Sequence, residues 1–333
     1  MLLGPLAVRD LGAAIASLTG RWGFAVDLVT PADDPSYALL ARGPLRLALR
    51  LAGAPAALRR PPARPPASAP SAPDAALPIP ALVAATVVSR ADASAGDAWV
   101  VGRAGMRYRD LLPGRFGGRF IASHIAIPDG GPVPDWVHFH RVRFQMISCV
   151  RGWVRVVYED QGEPFVMREG DCVLQPPQIR HRVLESSPGL EVLELGCPAS
   201  HETWADRATP LPTATRRPER VFGGQRFVRH EAAATPWRAS RWEGVEMRDT
   251  GIGAATAGLA GCVTLHAVPG AAVTAVPEAG RELWFAFVTA GACDAGPHGR
   301  LGVGDALALA PDGAATLRAG TTGMTLTLVT LPA

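Results

Sequence analysis

The sequence predicts a mainly β protein in which two β-barrels follow a small α+β module. Three observations support this prediction. From residue 83 onward, short apolar runs of strand length alternate with Gly, Pro and Asp, as in barrels and sandwiches. The chain contains 36 Gly and 31 Pro, which favours turn-rich β structure over long helices. A break around residues 209–220 divides the β-rich part into two halves, and 333 residues suffice for two or three domains.

The small α+β module is predicted at residues 1–53. Leu2–Val8 is a predicted strand, residues 11–21 repeat apolar side chains at helical spacing, and three further strands are expected before residue 53. This βαβββ order resembles one module of the vicinal-oxygen-chelate (glyoxalase) superfamily. The metal ligands of that superfamily are His and Glu, and residues 1–100 contain neither. We therefore expect a metal-free module that serves packing or dimerisation.

Residues 54–82 are rich in Pro and Ala and lack apolar periodicity. This composition predicts a semi-rigid, disordered linker. The first barrel is then expected at residues 83–208 and the second at residues 209–333.

Charge and cysteine content exclude several classes of protein. The net charge of +3 gives no indication of binding to nucleic acid or to a membrane surface. The five cysteines are odd in number and never form a CxxC pair, so reduced thiols are expected. We expect neither a signal peptide nor a membrane-spanning segment. A cytoplasmic protein with a small-molecule substrate is the expectation.

Two histidine-bearing segments carry the predicted chemistry. Side chains alternate between the faces of a strand, so His138 and His140 point the same way. Gln145 lies an odd number of residues beyond His140 and shares that face only if the chain turns or bulges over residues 141–143. His181 begins a later strand. Two imidazoles from one strand and a third from another can converge on one metal ion inside a barrel.

The spacing of these segments resembles the two motifs of the cupin superfamily. His138 and His140 form the HxH of the first motif, and Gln145 stands where the family has Glu. In the second motif Gly170, Pro176 and His181 fall at the family spacing, whereas Gln178 replaces Gly and Glu185 replaces Asn. The resemblance implies a double-stranded β-helix (jelly-roll) fold with the ion inside the barrel.

The glutamine at position 145 shapes the expected chemistry. A neutral amide oxygen can bind a metal but adds no charge, so the site retains its +2 charge for anionic or chelating oxygen ligands. Within the superfamily, three-His iron sites are associated with dioxygenases. The resemblance therefore implies one divalent transition metal, with Fe(II) favoured over Zn, Mn or Ni, and a dioxygenase acting on a small chelating substrate. A Zn, Mn or Ni isomerase or hydrolase, and a non-catalytic binding module, are the alternatives.

Strand parity and position suggest further site residues. Glu185 has the parity of His181 and is the candidate general base or hydrogen-bond partner of a metal-bound histidine. An arginine near the site could anchor a substrate carboxylate. The predicted substrate-binding residues are Trp136, Tyr158, Gln175, Val183 and Arg155.

The second half echoes the first without its histidines. Glu282 begins a strand that resembles the one starting at the cupin carboxylate, but Ala275, Pro277 and Thr316 occupy the histidine positions. We therefore expect a bicupin with one metal site and a degenerate second barrel. Cupins often dimerise, so the resemblance also implies a homodimer.

Overall fold

The computed structural model describes residues 1–54, 64–92 and 99–332, and these residues are mainly β. The N-terminal unit consists of one helix and four strands in the predicted order: β1 Leu2–Val8, α1 Leu11–Trp22, β2 Ala25–Thr30, β3 Tyr37–Arg42 and β4 Leu45–Leu51. Asp10 caps α1 by accepting the Ala13 N–H at 2.8 Å, and Gly23 ends it in the left-handed conformation (φ 63°).

The first barrel contains most of the strands between residues 99 and 205. They are β6 Trp99–Val101, β7 Arg107–Asp110, β8 Ile121–Ile127, β9 Gly131–Pro132, β10 His138–Arg141, β11 Phe144–Arg151, β12 Trp153–Tyr158, β13 Phe165–Arg168, β14 Cys172–Leu174, β15 His181–Ser186, β16 Leu190–Cys197 and β17 Glu202–Ala205, preceded in the chain by β5 Val87–Ser89. A single turn of helix, α2 Arg115–Gly118, lies between β7 and β8.

The second barrel follows the same alternation of short strands and turns. Its part of the chain contains β18 Val221–Phe222, β19 Gln225–Arg226, β20 Val228–His230, β21 Arg238–Ala239, β22 Val245–Asp249, α3 Ile252–Ala255, β23 Gly261–Ala267, β24 Ala272–Ala275, β25 Leu283–Asp294, β26 Arg300–Gly302, β27 Ala306–Leu309 and β28 Ala315–Leu331. None of the helices in the described part of the chain has the length and apolarity needed to span a bilayer.

The N-terminal unit is joined to the first barrel through a shared sheet. The strand order is β1-β4-β3-β2-β17-β10-β15-β12-β13, so β2 pairs directly with β17. Trp204 on β17 packs in a buried cluster with Leu28, Tyr37 and Phe139, which come from both sides of this junction. The predicted α+β module therefore exists, but its sheet continues the sheet of the first barrel.

The Pro/Ala-rich segment is ordered over the residues that the structure describes, 64–82, which corrects the prediction of a disordered linker. Residues 55–63 lie outside the described residues. The buried Arg180 guanidinium donates to the carbonyl oxygens of Pro66 and Ala67, and Asp74 pairs with Arg141 at 2.6 Å. The segment has no regular secondary structure. Its carbonyl oxygens accept hydrogen bonds from Arg180 and from the backbone N–H groups of Gly223 and Gly224.

The two barrels exchange edge strands, which corrects the predicted boundaries at residues 82/83 and 208/209. β5 precedes the first barrel but pairs with β27 of the second. β20 follows the first barrel but pairs with its β14. Hydrophobic runs alone cannot reveal such an exchange, because a strand has the same alternation whichever sheet it joins.

Both faces of the strands between the barrels are buried. In the first barrel, Phe144 and Met146 on β11 point away from the barrel interior and contact the second barrel, where Phe285 and Phe287 on β25 point back. The alternate residues Trp284, Ala286 and Val288 fill the interior of the second barrel with other apolar side chains. The interior of the second barrel is thus filled with apolar side chains, whereas the interior of the first barrel contains a cavity.

Candidate metal centre

The first barrel encloses a cavity of about 90 Å³. Its wall consists of every second residue of successive strands, as the alternation of side chains on a strand requires. The pattern is clearest on two strands, which contribute Val154, Val156 and Tyr158 from β12, and Leu190, Val192 and Glu194 from β16.

Three histidines meet on this wall. His138 and His140 lie two residues apart on β10, and His138 is the direct antiparallel partner of His181 on β15. One ring nitrogen of each lies within 4.8 Å of the corresponding nitrogen of the other two, and all three residues are buried. The three imidazoles therefore converge on one point of the cavity wall, and that they hold a metal ion stays a prediction.

Hydrogen bonds fix which nitrogen of each ring faces the cavity. His138 Nδ1 lies 2.8 Å from the Trp136 carbonyl oxygen, and His181 Nδ1 lies 3.0 Å from the Ile179 carbonyl oxygen. A carbonyl oxygen only accepts, so both Nδ1 atoms carry the proton and both Nε2 atoms keep a lone pair for a metal. His140 Nδ1 lies 3.0 Å from the Thr203 hydroxyl, which can accept in the same way.

Gln145 reaches the same cavity from a different strand. The chain leaves β10 after Arg141 and begins β11 at Phe144, and this break allows a residue of odd spacing to face the histidines. The Gln145 Nε2 group donates to Glu194 Oε1 at 2.5 Å. Gln145 Oε1 is buried and has no hydrogen-bond partner among the described residues. A buried acceptor with no partner is costly, and a metal ion would satisfy it.

In the turn that leads to His181, the strained residue is Gln178, which stands where the cupin motif has glycine. Gln178 adopts φ 62°, a left-handed conformation that costs a non-glycine residue about 1 kcal/mol or more. Its backbone N–H donates to the His140 carbonyl oxygen at 3.0 Å. The turn therefore has a conformation that favours glycine although glutamine stands there.

Three of the predicted substrate-binding residues line the cavity: Tyr158, Gln175 and Val183. The Tyr158 ring stacks on the His181 ring, with centroids 5.4 Å apart and planes inclined by 19°. Burial raises the pKa of Tyr158 far above its ordinary value, although a hydrogen bond with the Gln175 side chain acts in the opposite direction. The Tyr158 hydroxyl therefore stays protonated and is a hydrogen-bonding group.

Glu185 and Arg155 lie outside the cavity, which corrects the prediction from strand parity. The register between β12 and β15 shifts between Arg155 and Val156, so that Leu184 is bulged and Glu185 faces Arg155. The two side chains form an ion pair at 2.7 Å and are 37% and 40% exposed. The bulge turns Glu185 away from His181, and a sequence does not reveal a bulge.

Trp136 also lies outside the cavity wall, contrary to the prediction. Its ring contacts the His138 ring edge-on, with centroids 5.3 Å apart, and it is half-buried. It precedes the start of β10, so the alternation that relates His138 to His140 does not extend to it.

Glu194 and two residues around His140 were not predicted from the sequence. Glu194 continues the inward-facing pattern of Leu190 and Val192 on β16, and an acidic residue in that apolar series was the signal that could have revealed it. Thr203 contacts His140 Nδ1 from β17. His201 packs edge-on against His140, with centroids 5.1 Å apart, and is buried. Thr203 lies on β17 and His201 directly precedes that strand, whose pairing with β10 could not be foreseen.

The comparisons with known proteins show a likeness in fold over about three quarters of the chain. No protein-family model and no curated protein matches the chain. Among solved structures, salicylate 1,2-dioxygenase from Pseudaminobacter salicylatoxidans is similar, with 16% identity, coverage of 76% of this chain and 86% of that chain, and a TM-score of 0.52. A protein from Pseudomonas aeruginosa titled as glyoxylate-induced has 13% identity, coverage of 79% and 95%, and a TM-score of 0.54.

This chain has the bicupin fold. The resemblance inferred from the two histidine motifs is thereby confirmed at the level of the fold. Of the two barrels of this bicupin, only the first brings together, among the described residues, three side chains that could hold a metal ion. In the second barrel Ala275 is part of the apolar core, and Thr316 pairs with Thr274.

Proposed function

We propose that this bicupin is a mononuclear non-haem Fe(II) dioxygenase that acts on a small, oxygen-chelating substrate. The observation that carries the proposal is the set of three buried histidines whose Nδ1 atoms are held by hydrogen bonds, so that the Nε2 atoms face one cavity. His138, His140 and His181 would hold the ion, and the Gln145 amide oxygen would be a fourth ligand. Similar solved structures that include a salicylate dioxygenase support the reaction class.

The protein's own residues provide binding, orientation and exclusion of water. Bound iron would supply Lewis acidity toward a chelating substrate and would relay to O₂ the electrons that oxidation of the substrate releases. The four ligands carry no formal charge, so the site favours a substrate that binds as an anion such as an enolate. Tyr158 and Gln175 can donate hydrogen bonds to the substrate, and the apolar wall excludes bulk water.

Metal analysis followed by O₂ consumption tests this proposal. Full-length protein is reconstituted anaerobically with Fe(II), its metal content is measured, and O₂ uptake is followed with diketones, catechols and thiols. We expect one Fe(II) per chain and O₂ uptake with at least one chelating substrate. The His140→Ala and His181→Ala variants should lose more metal affinity than the roughly 10- to 100-fold that loss of an outer-sphere partner costs.

His266→Ala is the matched control, because His266 lies in the second barrel and contacts Trp237 and Thr325. It should bind metal as the unmodified protein does. Absence of stoichiometric transition metal after reconstitution would overturn the proposal. Metal binding without O₂ uptake would favour a Zn, Mn or Ni isomerase or hydrolase instead.

A further inference from the structure

The wall of the histidine-lined cavity is not built by the first barrel alone. Among the described residues, all but one of those on the wall lie in the stretch from Met106 to Glu194, and the exception is Ala32. Ala32 belongs to the turn between β2 and β3 of the N-terminal unit, and it is 8% exposed. The N-terminal unit therefore borders the space that a ligand of the histidine site would occupy.

Close packing holds this turn, residues 31–36, against the barrel. The space beside Gly102, which follows β6, is filled by the Asp33 carbonyl oxygen and the Tyr108 ring. A Cβ atom added at Gly102 would lie 2.7 Å from that oxygen and 2.6 Å from the ring, which is shorter than an ordinary van der Waals contact. Tyr108 itself lies on the cavity wall. The turn thus packs closely beside a second residue of the wall.

Polar contacts fasten the same turn at two places. Arg115 Nη2 donates to Asp33 Oδ2 at 2.5 Å, and its Nε donates to Asp110 Oδ2, at the end of β7, at 3.2 Å. The Asp33 side chain is only 5% exposed, so solvent screens this ion pair little. At the start of the turn, the Thr30 hydroxyl donates to the His201 carbonyl oxygen at 3.0 Å. One guanidinium and one hydroxyl therefore link the turn to separate parts of the barrel.

The backbone that presents Arg115 is strained. Five consecutive residues, 114–118, have φ between 46° and 88°, and two of them, Arg115 (51°) and Phe116 (46°), are not glycine. Side chains rarely adopt this left-handed conformation, and it persists only where surrounding contacts enforce it. Here Phe116 is 1% exposed in the contact between the barrels. The chain thus keeps an unfavourable conformation at the point from which Arg115 reaches the turn.

We infer that Ala32 is a specificity-determining residue of the histidine site, because it limits how far a ligand held at the histidines can extend toward the N-terminal unit. Arg115 is its positioning residue, since it holds the turn through Asp33. The inference rests on the proposed function and adds the determinant of ligand size. One water-sized unit needs roughly 10–15 Å³, so a cavity of about 90 Å³ holds on the order of six to nine such units, and a few carbon atoms at the wall change it substantially.

Ligand binding to the Zn(II)-loaded full-length protein tests the inference without turnover. The probes are acetohydroxamate, butanohydroxamate, hexanohydroxamate and octanohydroxamate, which share one chelating group and differ in tail length. Their affinities are measured by calorimetry after the Zn content has been determined. Because the wall is mainly apolar, affinity should rise with tail length up to a limit and fall beyond it. Ala32→Leu should weaken binding of the tail at this limit at least tenfold and leave acetohydroxamate unaffected, whereas Ala32→Gly should favour the longer tails.

Ala16→Leu is the matched control, since it makes the same change on the exposed side of α1 in the N-terminal unit and should leave the limit unaltered. The role of Arg115 is tested with Arg115→Gln, which should allow the turn to move and raise the affinity for longer tails relative to acetohydroxamate. Arg115→Lys, which keeps the positive charge, should restore most of the limit. A merely structural role of Arg115 would instead weaken all four probes equally.

An unchanged limit in both Ala32→Leu and Ala32→Gly would overturn the inference, and the glycine variant alone decides it if the leucine variant does not fold. Equal weakening of all probes by Arg115→Gln would overturn the positioning role. Zn binding without binding of any hydroxamate would also overturn the inference, because no ligand would then reach the wall from the histidines. Failure to bind Zn would overturn the proposed function together with this inference, whereas the other outcomes leave the proposed function standing.

Discussion

At the scale of single residues, a hydrogen-bonded pair, Gln145 and Glu194, stands where the cupin motif has a single glutamate. The amide at position 145 faces the histidines, and the carboxylate that would have been expected there lies one strand away, joined to it by a hydrogen bond of 2.5 Å. Because the Gln145 Nε2 group donates to Glu194, the Oε1 atom of Gln145 points in the opposite direction, away from Glu194. Glu194 is therefore a positioning residue for the amide oxygen.

Gln145→Glu should destabilise the metal-free protein. It replaces a buried amide donor with a second carboxyl group facing Glu194, and loss of such a charge-assisted hydrogen bond costs on the order of 1–3 kcal/mol in the free energy of unfolding. Metal should still bind, since a carboxylate is the stronger ligand. Urea denaturation of the metal-free protein measures the change.

The control for this prediction is the exchange variant that combines Gln145→Glu with Glu194→Gln. It restores a donor and an acceptor in reversed positions, so most of the lost stability should return. An exchange variant that is no more stable than Gln145→Glu alone would contradict the positioning role of Glu194.

The predicted site residues that line the cavity share one property. His138, His140 and His181 belong to motifs whose order and spacing suffice to bring them together, and alternation along a strand also placed Val183 on the cavity wall. Glu185 lies outside the cavity because the bulge at Leu184 reverses the alternation of side chains along β15. Glu194 was missed because it belongs to neither motif. Spacing therefore predicts which histidines converge, whereas the surrounding polar groups depend on the pairing of distant strands.

At the scale of elements, the position just before β25 corresponds to a metal ligand in the cupin motif. In this chain the residue at that position forms a contact between the two barrels. Glu282, which stands where the cupin carboxylate would be, pairs with Arg119 and Arg143 of the first barrel at 2.8 Å each. Burial alone would raise the pKa of Glu282, but hydrogen bonds from Arg143 and Arg119 outweigh it and hold the pKa below its ordinary value.

Glu282→Gln should lower stability at neutral pH by on the order of 1–3 kcal/mol, since it leaves two arginines without their carboxylate. A lowered pKa in the folded state stabilises the protein above the ordinary glutamate pKa of about 4.3, and this stabilisation is lost as the pH falls through the folded value. The difference from the unmodified protein should therefore disappear in acid. Chemical denaturation at pH 7 and near pH 3 measures it.

Glu243→Gln provides the comparison, because Glu243 is an exposed residue of the second barrel. Its unfolding free energy should stay within about 0.5 kcal/mol of the unmodified value. A Glu282→Gln variant that is as stable as this control at pH 7 would show that the ion pairs between the barrels contribute nothing measurable.

At the scale of the whole molecule, the N-terminal unit completes the first barrel. Its sheet extends that of the barrel through β2 and β17, and Ala32, in the turn between β2 and β3, reaches the cavity wall. Arg115 donates to Asp33 at 2.5 Å and fastens this turn to the barrel. The apolar spacing of residues 1–53 predicted the elements of the unit, but the absence of histidine and glutamate there gave no hint that it borders the histidine-lined cavity.

Trp204→Ala should destabilise the protein by about 3–5 kcal/mol, because the indole is buried at the junction of the N-terminal unit and the barrel. Cleavage by a protease within residues 1–54 should also become faster. Trp22→Ala is the control, since Trp22 is 54% exposed on α1 and its loss should change stability by less than about 0.5 kcal/mol. Equal stability of the two variants would contradict a structural role for this junction.

The exchange of β5 and β20 between the barrels has a consequence for the order in which the protein can be completed during its synthesis. Val87–Ser89 leave the ribosome early but find their partner only when residues 306–308 of β27 have been made. The first barrel in turn lacks the neighbour of β14 until residues 228–230 have emerged. A chain released between the two barrels therefore contains β5 without its partner β27, and its first barrel lacks β20. For the same reason, no single cleavage of the finished chain yields two complete barrels.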